Sequence, residues 1–212
     1  MREKPLLRGV SHQIAFFLSL IAGLVLLLVT DKSHGITGSA IYAVSLSCLL
    51  GVSAIYHRVN WKHPDTRAWM RRLDHTMIFV LIAGTYTPFA LLNSTPFSRA
   101  ILVAVWAAVV LGAAMKLLWI SAPKGLVALS YVAVGLIGGL SLPEMHGVVG
   151  PASSGLIVVG GLAYILGALI YARKSPDPWP RIFGYHEIFH ALVIVGAGLH
   201  YGAVMLAVRS VG

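Results

Sequence analysis

The sequence predicts an all-α protein in which residues 1–212 form one domain of seven transmembrane helices. Three observations indicate this fold class. The 212 residues are 58% hydrophobic and only 11% charged, and the mean hydropathy of +0.83 is well above that of a water-soluble domain. The chain also contains seven long apolar runs. A hydrocarbon core about 30 Å thick requires about 20 apolar residues per helix, so the length accommodates seven.

Each predicted helix is an apolar run bounded by residues that favour loops. The runs place helices at about 13–30, 36–59, 73–92, 98–120, 125–142, 153–172 and 186–208. The gaps contain Lys62-His63-Pro64-Asp65, Asn93-Ser94-Thr95-Pro96, and three prolines at 176, 178 and 180. The first run follows basic residues, as a secretion signal does, but it is longer and no A-x-A-like cleavage site follows. We therefore expect it to be the first span.

The distribution of Lys and Arg predicts the orientation in the membrane. With the N-terminus in the cytoplasm, thirteen fall on the cytoplasmic side: Arg2, Lys4, Arg8, Arg58, Lys62, Arg67, Arg71, Arg72, Lys116, Lys124, Arg173, Lys174 and Arg181. Only Lys32, Arg99 and Arg209 fall on the other side. The C-terminus is therefore expected outside, which is opposite to the orientation of G-protein-coupled receptors. Because the cations lie in short clusters between apolar runs, the net charge of +9 does not indicate nucleic acid as a partner.

Small residues four positions apart predict where helices pack closely. Gly135 with Gly139, and Gly198 with Gly202, have the spacing that allows two membrane helices to approach each other. We expect these pairs to lie at helix–helix contacts.

Ionisable side chains at membrane depth are costly, so each one is a candidate for function. Five of the seven acidic residues lie in predicted tails or loops, which leaves Asp74 and Glu187 at the starts of the third and seventh helices. Three histidines have the same predicted depth: His57 ends the second helix, and His186 and His190 open the seventh. Polar groups from three helices are therefore expected at one cytoplasmic site.

The spacing of these histidines favours a metal site. His186 and His190 are four residues apart, so they share a helix face and can bind one ion, and Ser53 is one turn from His57. Three histidines with an open fourth position are typical of catalytic zinc, which lowers the pKa of a bound water to about 7. Asp74 would hold that water or accept its proton. The alternative is that the histidines are interfacial residues, hydrogen-bonded to each other or to lipid headgroups.

The stretch from His186 to His190 also matches H-E-x-x-H, the metalloprotease signature. A metzincin would have a further histidine where Gly196 stands, and no acidic residue follows Glu187. Glu187 is therefore a lesser candidate for a general base. His75 is a lesser candidate ligand, and His200, ten residues past His190, is expected to be a buried packing or hydrogen-bonding residue.

Several segments together resemble the bacterial hemolysin III family. They are Ser53-Ala54-Ile55-Tyr56-His57, Leu73-Asp74-His75, Ala83-Gly84-Thr85-Tyr86-Thr87-Pro88-Phe89, and the pair His186 and His190. This family is related to the progestin and adipoQ receptors, including adiponectin receptors, and more distantly to alkaline ceramidases. The resemblance implies zinc ligation by His57, His186 and His190, with Asp74 contacting the metal-bound water and Ser53 nearby.

The function implied by the resemblance has three forms. The first is a zinc-dependent hydrolase of a membrane lipid amide or ester, since the eukaryotic relatives are associated with ceramide hydrolysis. The second is a receptor or membrane-stress sensor with structural zinc, and the third is a pore-forming cytolysin, as the family name suggests. The expected location is the cell membrane, the inner membrane in bacteria, with membrane lipids and zinc as partners. Iron or manganese in place of zinc, and the oligomeric state, are left open by the sequence.

Overall fold

The computed structural model describes residues 5–30, 35–119 and 123–210, without the side chains of residues 117 and 124. Arg2, Lys4 and Lys32, which contributed to the predicted orientation, lie outside the described residues, as does the predicted end of the fourth helix at 120.

Seven helices form the described part of the chain. They are α1 (Val10–Val29), α2 (Ile36–Arg58), α3 (Pro64–Asn93), α4 (Pro96–Leu118), α5 (Lys124–Gly139), α6 (Leu142–Arg173) and α7 (Tyr185–Ser210). The predicted all-α class is confirmed, and six of the helices are long and apolar enough to cross a membrane. The exception is α5, whose 16 residues extend about 24 Å at 1.5 Å per residue.

The helices run between two ends of the bundle. At one end, here called the site end, α2 finishes and α3 and α7 begin; at the other, the far end, α3 finishes and α4 begins. The residue Tyr131 on α5 lines a cavity at the site end. At the far end Glu144, in the first turn of α6, accepts hydrogen bonds from Thr95 (2.8 Å) and Ser98 (3.3 Å). The short α5 therefore leads from the site end to the far end.

α3 lies at the centre of the arrangement. It contacts α2, α4, α5, α6 and α7, and α1 packs between α2 and α7. Side chains such as Tyr42, Phe79, Phe89 and Val204 are fully buried in the core. In contrast, α1 exposes Leu18, Ile21, Leu24 and other apolar side chains, as expected of a surface that meets hydrocarbon rather than water.

The predicted start of the third helix was wrong by nine residues. α3 begins at Pro64, where a proline is well accommodated in the first turn, and Asp65 stabilises the same turn through the helix dipole. Residues 64–72 form no apolar run, because this part of the helix is polar. Hydropathy identifies the segment that meets hydrocarbon and not the helix itself, so two further turns of α3 project from the apolar region.

The sixth helix also begins earlier than the predicted 153. α6 starts at Leu142 and contains one break at Gly150, whose φ of 78° and ψ of 172° are not helical. Glycine suits this position because it has no Cβ to disfavour positive φ. Pro151 directly follows and restarts the helix.

Of the four glycines predicted at helix–helix contacts, Gly202 packs closely against a neighbouring helix: a methyl group built there would lie 3.3 Å from Leu156 Cδ1 of α6. Apart from the local backbone of the same helix, no described atom lies within 4 Å of a methyl group built on Gly135, Gly139 or Gly198, so the predicted close packing at these three is wrong. Among the close approaches that glycine allows, the one between α2 and α3 bears on the site. A methyl group on Gly84 would lie 2.2 Å from Ser45 Oγ, and one on Gly38 would lie 2.7 Å from Pro88 Cα. These contacts fix α2, which carries His57, against α3, which carries Asp74.

Candidate metal centre

Three imidazoles meet at the site end of the bundle. His57 lies in the last turn of α2, whereas His186 and His190 lie on successive turns at the start of α7. One ring nitrogen of each lies within 4.8 Å of one ring nitrogen of the other two. The Nε2 atoms of His57 and His186 are 3.3 Å apart. The four-residue spacing on α7 and the packing of α2 against its neighbours thus bring together the three predicted ligands.

The donor set fits a tetrahedral metal ion. Two nitrogens that each lie about 2 Å from a tetrahedral zinc are about 3.3 Å from each other, which is the separation of the His57 and His186 Nε2 atoms. His57 and His190 are buried and His186 is half-buried. The Nδ1 atom of His190 is buried and makes no hydrogen bond within the described residues. These three histidines could bind a metal ion, and imidazole is a ligand that zinc and iron both accept.

Asp74 lies beside the three histidines on α3. Its Oδ2 atom is 3.9 Å from Nε2 of His57, and its side chain is 14% exposed. Ser53 is buried one turn before His57 on α2 and is within hydrogen-bonding reach of the Asp74 carboxylate. The structure therefore places a carboxylate and a hydroxyl next to the imidazoles without making either of them part of the three-histidine cluster.

A cavity of about 1380 Å³ opens at the site end and contains these groups. Its lining includes all three histidines, Asp74 and Ser53, and the aromatic rings of Tyr56, Tyr131, Tyr171 and Phe189. The volume exceeds the roughly 300–1,000 Å³ of common small-molecule sites. His75, the lesser candidate ligand, also lines it, whereas His200 is buried elsewhere, with Nε2 3.1 Å from the Ile157 carbonyl oxygen, as expected.

A fourth histidine, which the sequence reasoning missed, packs against the cluster. The rings of His12 on α1 and His190 are stacked, with centroids 3.9 Å apart and planes inclined by 7°. His12 is 3% exposed, and neither of its ring nitrogens makes a hydrogen bond of normal geometry to a described residue. Its position near the start of the first helix, at the end predicted to be cytoplasmic, was the available signal, since it gives His12 the same predicted depth as His190.

Comparison with known proteins decides the family. Residues 1–201 match the model of a family described as Haemolysin-III related. The chain belongs to this family. Hemolysin-3 of Bacillus cereus is 26% identical over 97% of the chain and 92% of its own length, and the hemolysin-3 homolog of Bacillus subtilis is 28% identical over 96% and 93%.

The haemolysin III-related chain also has eukaryotic relatives. A heptahelical transmembrane protein of Oryza sativa is 32% identical over 77% of the chain and 79% of its own length. The adiponectin receptor protein of Drosophila melanogaster is 29% identical over 78% of the chain and 41% of its own length. The family and the six apolar helices together make this a multi-span membrane protein.

In this member of the haemolysin III-related family, Glu187, which lies between the two α7 histidines, pairs with Arg8 and not with the three imidazoles. Glu187 is buried, forms an ion pair with Arg8, and accepts a 2.8 Å hydrogen bond from the backbone N–H of Gly184. Both carboxylate oxygens are thus occupied. The H-E-x-x-H match does not place Glu187 as a metalloprotease base here, since the carboxylate beside the histidines is Asp74.

Arg8 belongs to a segment that closes part of the site end, residues 5–9, here called the N-terminal strap. The backbone N–H groups of Leu6 and Leu7 donate to the carbonyls of Arg181 and Ile182, at 3.0 and 3.2 Å. Gly9 ends the strap with a φ of 79°, and a Cβ at this position would lie 2.6 Å from the Cβ of His57. Only glycine allows the strap to pass so close to His57 with this backbone conformation.

Proposed function

We propose that this protein is a membrane-embedded, zinc-dependent hydrolase that cleaves an amide or ester bond of a membrane lipid. The observation that carries the proposal is a cluster of three imidazoles with Asp74 beside it in one large cavity. Three protein ligands leave a coordination position open, which is typical of catalytic zinc, whereas structural zinc sites have four. The resemblance to alkaline ceramidases supports an acyl bond as the target.

The residues have distinct roles in this proposal. His57, His186 and His190 would hold the zinc ion, which when bound polarises a carbonyl and makes a nucleophile available at neutral pH. Asp74 accepts a proton in the cavity and returns it to the leaving amine or alcohol, as a general base and then a general acid. Ser53 donates a hydrogen bond to Asp74 and keeps the carboxylate turned towards the imidazoles.

The proposed orientation has the site end in the cytoplasm and seven crossings in one transmembrane domain. Although α5 is short, it leads from the site end to the far end, and this path supports α5 as a seventh membrane crossing. The cations that lie at the site end include Arg58, Lys62, Arg173 and Lys174, and such residues accumulate on the cytoplasmic side. The bacterial relatives support the cell membrane, the inner membrane in bacteria, as the location.

One alternative has a specific observation in its favour. A relative in Drosophila melanogaster is named adiponectin receptor protein, which favours a receptor in which the metal ties α2 to α7 as a structural element. A structural zinc site has four protein ligands, so Asp74 or Ser53 would then bind the metal directly. With Asp74 as that ligand, its loss would lower metal content, and removal of the metal would lower thermal stability sharply. Pore formation rests on the names of the Bacillus relatives alone, and dye release from liposomes tests it.

Replacement of Asp74 by alanine separates the enzyme from the receptor. Asp74→Ala leaves the three imidazoles in place, so we expect metal content to be retained and turnover to fall by about 100-fold or more, as for loss of a general base. The matched control is Asp65→Ala, an exposed residue at the start of the same helix. Fatty-acid release from a panel of N-acyl and O-acyl lipids, together with elemental analysis, gives both quantities. Equal release by wild type and Asp74→Ala for every lipid contradicts the hydrolase.

A further inference from the structure

The cavity that contains the histidines has a strongly cationic lining. Six of its described lining residues are basic: Arg8, Arg67, Arg71, Arg72, Lys116 and Arg181. Arg8 is paired with Glu187, but the other five form no ion pair with a carboxylate of the described residues. The carboxylates among the described lining residues are Asp74 and Asp177, and Asp177 accepts a hydrogen bond from the Tyr185 backbone N–H (3.0 Å). Positive charge therefore exceeds negative charge around the cavity.

Two of these cations stand above Asp74 on one face of α3. Arg67, Arg71 and Asp74 have the spacing i, i+4 and i+7, which aligns them along one helix face, and all three line the cavity. At 1.5 Å per residue, Arg71 is about 5 Å and Arg67 about 10 Å nearer the helix start than Asp74. The polar turns of α3 that hydropathy missed thus place guanidinium groups over the path to Asp74.

Further cations face this pair from other elements. Lys116, in the last turn of α4, is half-buried and close enough to Arg71 for the two positive charges to interact. Arg181 lies in the connection between α6 and α7. The Arg72 guanidinium lies 4.5 Å from the ring centre of Trp69, and its Nε atom is buried without a hydrogen-bond partner in the described residues. Like charges of α3 and α4 thus come together at Arg71 and Lys116, so an anion between them is stabilised by both, and Arg72 and Arg181 line the same cavity.

The tendency of cations to collect at the cytoplasmic side does not explain this placement. That tendency sets the side of the membrane on which a cation lies and not whether it faces a cavity. Arg58, Lys62, Arg173 and Lys174 lie at the same end and are exposed outside the cavity lining. The site end therefore has two sets of cations: one lies outside the cavity, and one lines it together with the proposed catalytic groups, although Arg67, Arg71 and Arg181 of this second set are also exposed.

We propose that the lipid bound in this cavity carries a phosphate in its headgroup, which Arg67 and Arg71 contact. This substrate class rests on the proposed hydrolase function. Guanidinium groups bind phosphate through paired, charge-assisted hydrogen bonds. In a glycerophospholipid the phosphate and the acyl ester are a few bonds apart, so a phosphate at Arg71 brings the ester carbonyl towards Asp74 and the three histidines. A neutral N-acyl lipid uses none of these cations.

Direct binding tests this without any turnover. Native mass spectrometry of the metal-loaded protein in a neutral detergent measures the binding of dioleoylphosphatidylglycerol, which carries the phosphate, and of dioleoylglycerol, which has the same acyl esters and no phosphate. We expect the anionic lipid to bind about tenfold more tightly, the usual contribution of a hydrogen bond to a charged group. Arg67→Ala and Arg71→Ala should each remove most of that preference, and Arg71→Lys should retain part of it. Arg173→Ala, which removes a charge at the same end outside the cavity, should leave the preference unchanged.

Three results distinguish the outcomes. Equal binding of the two lipids, or a preference that survives in Arg67→Ala and Arg71→Ala, overturns the inference. Displacement of the lipid by millimolar inorganic phosphate or glycerol 3-phosphate at the same cations shows that a free phosphate compound is the ligand, which also overturns it. A lipid preference that depends on both arginines supports the inference even if no lipid is hydrolysed, in which case the hydrolase proposal fails separately.

Discussion

His57 is the residue on which most of the contacts at the site depend. It lies 3.3 Å from His186 and 3.9 Å from Asp74, measured between side-chain atoms, and the backbone of Gly9 packs against its Cβ. The contacts come from α7, α3 and the N-terminal strap. A change in any of these three elements is therefore expected to move a proposed metal ligand.

His12 has a different relation to the site, because it touches a proposed ligand without being one of the three clustered donors. Its ring covers the face of His190 at 3.9 Å and is buried. We assign it the role of a positioning residue that limits rotation of the His190 ring. A stacked neighbour can do this whether or not its nitrogens form hydrogen bonds.

Loss of the His12 ring should weaken zinc binding. We expect His12→Ala to lower zinc affinity about tenfold, the lower end of the effect of residues that orient metal ligands. His12→Phe retains a flat ring and should keep most of the affinity. Competition with a chelating dye measures the dissociation constant, and His146→Ala, at an exposed far-end residue, is the control. Wild-type affinity in His12→Ala would show that the stacking has no positioning role.

At the scale of the helices, the sequence predicted the elements better than their limits. The apolar runs identified all seven helices, because hydropathy reports burial in hydrocarbon. The start of α3 at Pro64 and the start of α6 at Leu142 were missed, since residues 64–72 are polar and residues 143–152 contain glycine and two prolines. The missed turns of α3 are the ones that carry Arg67 and Arg71.

The sequence predicted those parts of the site whose residues are close to each other along the chain. The relation of His186 to His190, and of Ser53 to His57, depends only on the helix repeat. The meeting of α2, α3 and α7 was predicted because the order of the spans places the end of α2 and the starts of α3 and α7 at the same depth in the membrane. The contacts of His12 with His190 and of Arg8 with Glu187 could not be derived, because depth does not tell which helices are neighbours. α1 packs against both α2 and α7 in the folded protein, and this packing is what brings His12 and Arg8 to α7.

For the whole molecule, the central question is which face of the membrane the cavity opens to. The cavity, the N-terminal strap and most of the charged residues lie at the site end, whereas the far end has the hydrogen bonds to Glu144. Charge asymmetry of this kind orients a membrane protein with the basic end in the cytoplasm. A lipid would then enter from the inner leaflet.

Cysteine labelling tests this orientation. In a background with Cys48→Ala, Lys62→Cys places a thiol at the site end and Arg99→Cys places one at the far end, both at exposed positions. We expect a membrane-impermeant maleimide to label Arg99→Cys in intact spheroplasts and to label Lys62→Cys only after permeabilisation. The reverse pattern would put the cavity on the outer face and would contradict both the orientation and entry from the inner leaflet.

The proposed chemistry depends first on whether the three imidazoles hold a metal ion. Elemental analysis of the detergent-purified protein, beside His57→Ala, His190→Ala and the control His200→Ala, measures this without assuming a reaction. We expect about one zinc per chain in wild type and in the His200 variant, and loss of zinc in the other two, since three histidines are the ligands of such a site. Wild type that binds no metal from zinc-containing buffer, or His57→Ala with unchanged zinc content, would contradict the account.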